Sequence, residues 1–239
     1  MNYIVQPLGD QAVRMEMEDS SPPIRSICAF LTSHPLKGVV DIVGGLSSVT
    51  IFYEYPATNF YSLKEHLAAL LENFPEDNVA AFTNTRTVYL PTLYDGPDLS
   101  QLSSTHNMTE ETIIRLHTGG TYEVTMLGFL PGFPYLTGLP ESLETPRLST
   151  PRGKVEAGSV GIGGNQTGVY PIASPGGWNL IGRTPIPLFS PGEKEPFLLQ
   201  AGDTVRFQAI SEKEYNEWLE KVQQQTDWKK EVIDCHEEN

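Results

Sequence analysis

Glycine and proline are concentrated in one block of this chain, and that block limits what the chain can fold into. Residues 131–196 hold 12 of the 21 glycines and 11 of the 19 prolines in the 239-residue sequence. Proline lacks the backbone N–H that a helix interior needs, and glycine favours turns, so long helices are excluded here. The block predicts many short strands joined by tight turns, as in an all-β barrel or sandwich.

The centre of this block carries no charge. Residues 157–182 contain no Asp, Glu, Lys or Arg, and they include eight glycines. Glycines at this density interrupt any membrane-spanning helix, which rules that structure out. The stretch is therefore expected to form buried strands and tight turns, or to line a groove.

The first 75 residues follow a different pattern, in which strand signals alternate with amphipathic helix signals. Strand patterns occupy residues 3–8, 12–17, 39–43 and 48–53, and helix patterns begin at Pro23 and at about residue 59. Apolar residues recur three and four apart in both helix patterns, as expected when one face of a helix packs on a sheet. We predict a small α+β domain over residues 1–85, of the ferredoxin-like type with the order βαββαβ.

A polar segment at residues 75–85 has no hydrophobic period and predicts a linker. Beyond it, the shortage of helix signals predicts a mostly-β barrel domain over residues 86–224. That domain ends in a helix near residues 212–222, which Ser211 and Glu214 are placed to cap. Residues 225–239 are predicted to form a polar tail.

Charge and targeting signals narrow the class of protein. The chain carries 30 acidic and 16 basic residues, a net charge of −14, which repels nucleic acids and anionic membranes. Neither a run of 18 apolar residues nor an N-terminal signal peptide is recognisable, so we expect a cytoplasmic protein. Cys28 lies on the apolar face of a predicted helix and Cys235 in the tail, which predicts neither a disulfide nor a metal site.

Standard signatures of catalysis are absent from the sequence. It contains no phosphate-binding loop that ends in Lys-Ser or Lys-Thr, no HExxH zinc motif and no GxSxG nucleophile turn. The glycines at residues 161–164 are a weak dinucleotide signal that turn geometry explains better. The sequence therefore identifies no catalytic residue, no metal site and no ATP site in this chain.

Two aromatic segments are candidates for a binding surface. Residues 128–136 carry Phe129, Phe133 and Tyr135 around Pro131, which makes a stiff apolar loop. Such a loop is either a core plug or a binding surface. Trp178 follows directly after the turn-forming residues 174–177, where its ring is placed to form the wall of a pocket.

Polar side chains near these segments are able to orient a small amide or acid. They are Arg147, Arg152, Gln166, Thr167, Tyr170, Asn179 and Arg183. A guanidinium binds a carboxylate through paired hydrogen bonds, and Gln166 can both donate to and accept from a lactam amide. His117, at the end of a predicted helix, either favours the negative helix end or serves to hold substrate and transfer protons.

Taken together, these segments resemble the KipI family, also called the B-subunit of prokaryotic 5-oxoprolinase and formerly allophanate hydrolase subunit 1. Distinctive matches include Gly96-Pro97-Asp98-Leu99, the run 127–136, and Gln166 through Pro171. The remaining matches are at residues 117–122, 145–147, 151–152, 157–162, 174–178, 181–185 and 202–207. Their order and spacing cover residues 88–210.

The resemblance implies a cyclophilin-like barrel for this region, preceded by a small α+β domain. It also implies an obligate partner of the KipA type, called the C-subunit, and a third protein, the A-subunit. The three together open 5-oxoproline to glutamate at the expense of ATP, so ATP is used by the complex and is not expected to bind this chain alone. On this hypothesis the chain forms one wall of a composite active site, and Arg152 and Arg183 hold the anionic intermediates.

Two departures from the family pattern and two alternatives remain. Tyr94-Asp95 stands where the family more often has glycine and glutamate, and Glu156 stands where proline is more common. One alternative is a subunit that handles a small amide such as urea or allophanate. The other is an inhibitor of a sporulation sensor histidine kinase, which the resemblance implies because some members of the family inhibit such a kinase by docking on its dimerisation helices. An apolar groove that includes Phe129, Phe133 and Trp178 suits the packing of such a helix.

Overall fold

The structure is a computed structural model that describes residues 1–18, 22–75, 86–224 and 227–235. Its contacts divide the chain into two compact units, Met1–Asn84 and Thr85–Asn239. The predicted linker at residues 75–85 lies, apart from Pro75, outside the described residues. Each unit has its own hydrophobic core.

The first unit is a four-stranded antiparallel sheet packed against two helices. Its elements are β1 (Tyr3–Pro7), β2 (Ala12–Met17), α1 (Ile24–Ser33), β3 (Val39–Gly44), β4 (Ser48–Tyr53) and α2 (Phe60–Leu71). The strand order is β1-β2-β4-β3. Alternate residues such as Val13 and Ile51 face the core, where they meet Ile27 of α1 and Leu67 of α2. The side chain of Asn59 caps α2 by accepting two backbone N–H bonds.

The α+β composition of this unit agrees with the prediction, but the ferredoxin-like type is not confirmed. In the described residues the order is ββαββα, with two strands before α1 and no strand between α2 and Pro75. The difference arises at Gly9, where a turn joins β1 and β2 into an antiparallel hairpin in which Tyr3 lies opposite Met17. The helix crossover therefore follows the second strand and not the first.

The second unit is built on an eight-stranded sheet. Its strands and helices are β5 (Arg86–Thr92), α3 (Leu99–His106), α4 (Glu110–Gly119), β6 (Tyr122–Leu127), β7 (Pro134–Thr137), β8 (Arg152–Val155), β9 (Ser159–Gly163), β10 (Gln166–Val169), β11 (Ser174–Gly176), β12 (Asn179–Arg183), β13 (Thr204–Ala209), α5 (Glu212–Gln223), α6 (Trp228–Val232) and β14 (Ile233–Cys235). The sheet order is β12-β9-β10-β7-β6-β13-β5-β14, and β8 pairs with β11 apart from it.

This sheet curls far enough to meet itself. The chain that continues from β5 returns to β12, where Leu93 and Arg183 exchange two backbone hydrogen bonds of 2.9 and 2.8 Å. Gly182 permits this approach, because a Cβ atom there would lie 2.5 Å from the Leu93 carbonyl oxygen. The curled sheet confirms the prediction of a mostly-β barrel domain. The finer assignment to the cyclophilin-like type stays a prediction.

The C-terminal region differs from the predicted polar tail. The capping box of Ser211 and Glu214 is present at the start of α5, as the sequence indicates. Beyond it, however, α6 buries Trp228 and Val232 in the core of the second unit, and β14 pairs with β5. The assignment of residues 225–239 to a tail was wrong for 228–235. Trp228 and Val232 are four residues apart and therefore share one helix face, which is apolar although the three residues between them are charged.

Candidate functional site

A pocket of about 430 Å³ opens in the second unit beside Trp178. Its lining comes from three stretches of chain, within residues 129–135, 147–151 and 170–178. The first stretch joins β6 to β7, and the last contains β11 and leads into β12. The Gly- and Pro-rich sequence thus places irregular backbone around one concavity, whose volume falls in the range of about 300–1,000 Å³ that is typical of small-molecule sites.

The floor of the pocket is a cluster of aromatic rings centred on Phe133. This ring is 1% exposed, and its centroid lies 5.1, 5.2 and 5.4 Å from those of Tyr135, Tyr170 and Trp178, all in edge-to-face arrangements. Such pairs stabilise a fold by about 0.5–1.5 kcal/mol each beyond the burial of their area. Phe129, in contrast, is 65% exposed and has a φ of 67°. Phe133 is therefore a core residue, as one alternative for the loop predicts, whereas Phe129 lies on the surface, where its role in binding stays a prediction.

Gly163 explains how the indole of Trp178 reaches its place. A Cβ atom at position 163 would lie 2.7 Å from two atoms of the indole, closer than non-bonded carbon atoms approach. Because β9 carries no side chain there, the ring packs directly on the strand backbone. Part of the glycine density of residues 157–182 is thus required by the pocket floor.

Arg147 lies at the rim of the pocket. Its guanidinium carbon is 5.5 Å from the centroid of the Trp178 ring, within the range of a cation–π contact. Among the described residues that line the pocket, it is the one that carries a formal charge at neutral pH. Burial raises the pKa of the Tyr170 phenol, although the positive charges of Arg147 and Arg152 act in the opposite direction. Tyr170 is therefore neutral at physiological pH.

Arg152 lies close to this pocket, but its guanidinium donates its hydrogen bonds to other groups of the fold. Its Nη2 atom donates to Oδ1 of Asp98 at 2.5 Å, and its Nη1 atom donates to the Trp178 carbonyl oxygen at 3.3 Å. The second oxygen of Asp98 accepts from the backbone N–H of Leu180 at 2.6 Å. These bonds fasten the start of α3 to β12. The predicted role of Arg152 in holding anionic intermediates is therefore not supported, because its donors already bind a carboxylate.

Arg183 lies at the opposite end of β12 from Trp178. Its guanidinium forms an ion pair of 2.8 Å with Asp95 and stands 4.6 Å from the centroid of the Tyr215 ring. It is not among the residues that line the pocket. A strand of five residues spans roughly 16 Å, which separates Arg183 from the aromatic floor. The predicted role of Arg183 in the same anion site is not supported either.

His117 is fully buried at the end of α4, away from the pocket lining. Its Nδ1 atom lies 2.7 Å from the Tyr94 hydroxyl, and its Nε2 atom lies 2.9 Å from the Thr167 hydroxyl. The Thr167 hydroxyl donates its own proton to the Gly161 carbonyl oxygen. Nε2 must therefore carry the ring proton and donate to Thr167, while Nδ1 accepts from Tyr94.

Burial lowers the pKa of His117 to about 3, so that the ring is neutral at physiological pH. Burial also raises the pKa of Tyr94 well above its ordinary value, which keeps its hydroxyl proton in place. Every donor and acceptor of this cluster is satisfied within the fold. The geometry gives His117 a structural role and leaves the predicted substrate-holding role without support.

The structure thus divides the predicted site residues into two groups. Those that line the pocket are Phe129, Phe133, Tyr135, Arg147, Tyr170 and Trp178. Those outside its lining are His117, Pro131, Arg152, Gln166, Thr167 and Arg183. Pro131 is exposed in the loop, whereas Gln166 and Thr167 are buried in β10.

Sequence reasoning missed some contributors. Leu148, Pro151 and Pro175 also line the pocket, and their position beside predicted site residues was an available signal. Asn179, predicted to orient an amide, instead donates to the carbonyl oxygens of Pro146 and Ile162. Tyr94, noted as a departure from the family pattern, proved to be a partner of His117, which lies 23 residues away.

Within the described ranges, no group of three or more His, Cys, Asp or Glu side chains is arranged to hold a metal ion. The helices of the same ranges are all too short or too polar to cross a bilayer.

The half-buried thiol of Cys28 packs against the core of the first unit, and burial raises its pKa to about 11. The thiol is therefore protonated and unreactive at neutral pH.

Known proteins share this architecture. Residues 3–199 match the family model described as carboxyltransferase domain, subdomain C and D. The 5-oxoprolinase B-subunit of Bacillus subtilis (strain 168) is 38% identical over 238 residues, which cover 92% of this chain and 98% of that protein. The 5-oxoprolinase B-subunit of Haemophilus influenzae is 46% identical over 174 residues, which cover 72% of this chain and 79% of that protein.

Solved structures extend the comparison. The crystal structure of TTHA0988 is similar with a TM-score of 0.73 and 31% identity over 84% of this chain, which spans only 40% of that longer chain. The urea carboxylase of Kluyveromyces lactis has a TM-score of 0.73 at 20% identity, over 92% of this chain and 23% of that chain, and shows a shared fold alone.

The two units and these matches define a protein of the carboxyltransferase-domain class. Within that class, the chain belongs to the KipI family, to which the B-subunits of 5-oxoprolinase also belong.

Proposed function

We propose that this chain is a subunit of a 5-oxoprolinase, the complex that opens 5-oxo-L-proline to L-glutamate. The observation that carries the proposal is the 38% identity to the Bacillus subtilis 5-oxoprolinase B-subunit over 98% of that protein. The pocket beside Trp178 supports it, because an aromatic floor with one cation at its rim suits a small, flat, acidic amide.

The chemistry explains why several proteins and ATP are part of the proposal. A lactam is an unreactive amide, and transfer of the γ-phosphoryl group of ATP to its oxygen makes the ring carbon open to attack by water. Attack of one water molecule on that carbon breaks the ring C–N bond and gives the γ-acyl phosphate of glutamate, with the freed nitrogen as its amine. A second water molecule hydrolyses this acyl phosphate to the carboxylate of glutamate and inorganic phosphate, and ADP is the other product. This chain has no phosphate-binding loop in its sequence, so we place ATP on another component of the complex.

The proposed partners are a KipA-type protein, the C-subunit, and the A-subunit, and the chain alone is expected to be inactive. In this arrangement the chain contributes binding and orientation, which lower the barrier by holding the reacting groups in place. The cytoplasm is the proposed compartment, because ATP is supplied there.

The test is a reconstitution from purified components. This chain is mixed with candidate A- and C-subunits, and 5-oxoproline-dependent release of glutamate and phosphate is measured with each component omitted in turn. The proposal expects activity that disappears when this chain is left out. Full activity without the chain would contradict it. Urea and allophanate serve as alternative substrates, and turnover of either in place of 5-oxoproline would favour the small-amide alternative.

A second candidate function is supported by the exposed ring of Phe129. An aromatic side chain that is 65% exposed beside an apolar pocket is typical of a protein-docking surface. If the chain is a 5-oxoprolinase subunit, the protein that docks there is another component of the complex. If the chain is a kinase inhibitor, a dimerisation helix of a sensor histidine kinase docks there. Binding of the chain to each, measured with purified proteins, separates the two functions.

A further inference from the structure

We infer that Arg147 recognises the carboxylate of the molecule that binds in the aromatic pocket, so that the pocket selects small planar amides that carry an acid group. The inference rests on the proposed function for the choice of 5-oxo-L-proline as the probe. It goes beyond that function because it assigns the acid selectivity of the site to one side chain.

The backbone on both sides of Arg147 is fixed to the segment that carries Trp178. The Asn179 side chain donates to the carbonyl oxygen of Pro146 at 2.9 Å, and the N–H of Leu148 donates to the carbonyl oxygen of Gly177 at 2.7 Å. Arg147 lies between these two bonds. The backbone that carries Arg147 is therefore fixed beside the indole, so that only the torsions of its exposed side chain are ordered when a ligand binds, which favours affinity.

The guanidinium of Arg147 has donors to offer. In the part of the chain that the structure describes, no carboxylate or carbonyl oxygen pairs with it. Arg152 and Arg183, in contrast, are paired with Asp98 and Asp95. A planar fork of N–H donors binds a carboxylate through two parallel hydrogen bonds, which a neutral amide cannot match.

The local charge of the pocket favours an anion despite the charge of the whole chain. The sequence has a net charge of −14, yet the lining contributes one positive side chain and no negative one among the described residues. An acid that enters the pocket therefore meets the exposed Arg147 cation at hydrogen-bond distance, well within the screening length of about 8 Å at physiological salt.

The rest of the pocket fits the other half of such a ligand. Its floor consists of ring edges and faces, against which a five-membered lactam packs as a flat apolar body. The Tyr135 hydroxyl has no partner among the described residues, and it is available to the amide of the ring. A ring that lies on the floor with its acid group toward the rim satisfies both ends.

The experiment compares an acid with its neutral amide. The full-length chain is titrated with 5-oxo-L-proline and with 5-oxo-L-prolinamide, and binding is measured by ligand-observed NMR. We expect the wild type to prefer the acid by about tenfold or more, the value of a charge-assisted hydrogen bond. Arg147→Ala should abolish the preference while it changes the affinity for the amide by less than about twofold. Arg147→Lys should restore part of the preference, because the charge remains but the fork is lost.

The matched control is Arg115→Ala, which removes an exposed arginine of α4 outside the pocket. It should leave both affinities unchanged. Equal binding of acid and amide by the wild type would overturn the inference, and so would an unchanged acid preference in Arg147→Ala. No detectable binding of either compound would overturn it as well.

The reconstituted complex separates this inference from the proposed function. If 5-oxoproline is turned over and Arg147→Ala leaves its KM unchanged, the inference fails and the function stands. If the complex is inactive but the titration shows an acid preference that depends on Arg147, the function fails and the inference stands. Agreement requires a KM for 5-oxoproline that rises about tenfold in Arg147→Ala, with kcat little changed.

Discussion

The pocket beside Trp178 and the buried cluster around His117 are neighbours along β10, yet their polar groups are used in opposite ways. Thr167 of β10 binds His117, and Tyr170, just beyond the same strand, lines the pocket. In the cluster every donor meets an acceptor of the fold, whereas at the pocket the guanidinium of Arg147 meets an aromatic face and open space. A closed set of hydrogen bonds stabilises a fold, and an open one is available to a ligand.

The largest expected effect concerns the ring at the centre of the pocket floor. Phe133→Ala should lower the free energy of unfolding by about 3–5 kcal/mol, because it leaves a cavity among Tyr135, Tyr170 and Trp178. Urea unfolding followed by fluorescence measures the change. Phe129→Ala is the control, and because its ring is 65% exposed and makes an edge-to-face contact with Phe133 at 5.7 Å, it should cost about 1 kcal/mol or less. Similar costs for the two variants would show that the floor is not a packed core.

The next effect tests the closed cluster through pH. The pKa of His117 is lowered by burial to about 3 in the folded protein, from an ordinary value of 6.5. Below about pH 6.5 the unfolded chain therefore binds a proton at His117 that the folded chain does not bind until the pH approaches 3. The stability associated with the neutral ring is fully present above pH 6.5 and is lost as the pH falls toward 3.

Between pH 7 and pH 5 this linkage should remove about 2 kcal/mol of stability from the wild type. The substitution His117→Gln eliminates the titrating ring, so the variant should lose about 2 kcal/mol less than the wild type over the same interval, whatever its stability at pH 7. Urea unfolding at both pH values gives the two differences. Equal losses in the two proteins would mean that His117 is protonated in the folded state.

A smaller effect is expected at the surface of the pocket loop. If the proposed KipA-type protein is the partner, Phe129→Ala should weaken assembly with it by about 1–2 kcal/mol, as exposed aromatic residues commonly contribute to protein interfaces. Binding of the purified chains, measured by calorimetry, tests this. Tyr61→Ala removes an exposed aromatic side chain from α2 of the first unit and should have no effect. Weakening by Tyr61→Ala alone would place the contact surface on the first unit.

The comparison also shows which features the sequence could predict. Local signals sufficed for the strand-rich second unit, for the capping box of Ser211 and for the pocket wall at Trp178, because each depends on neighbours in the chain. The polar residues around Trp228 concealed a buried helix, since the sequence pattern there is dominated by charge.

The roles of the arginines were beyond local reasoning. Arg147, Arg152 and Arg183 sit in similar Gly- and Pro-rich surroundings, and all three were candidates for an anion site. Their roles are decided by carboxylates that lie far away in the chain. Asp98 is 54 residues from Arg152, and Asp95 is 88 residues from Arg183. Only the closure of the barrel brings these groups together, so the sequence alone could not show which guanidinium stays free.

The smallest expected effect separates Arg183 from Arg147. The ion pair of Arg183 with Asp95 is exposed, with side-chain accessibilities of 46% and 41%, and such pairs contribute about 0–1 kcal/mol. Arg183→Ala should therefore lower the free energy of unfolding by about 0.5 kcal/mol, a contribution that high salt reduces further. It should leave the affinity for 5-oxo-L-proline unchanged, because the guanidinium lies at the opposite end of β12 from the pocket. A loss of affinity as large as that expected for Arg147→Ala would place the anion site at the barrel closure between Leu93 and Arg183, and the pocket floor would then be structural.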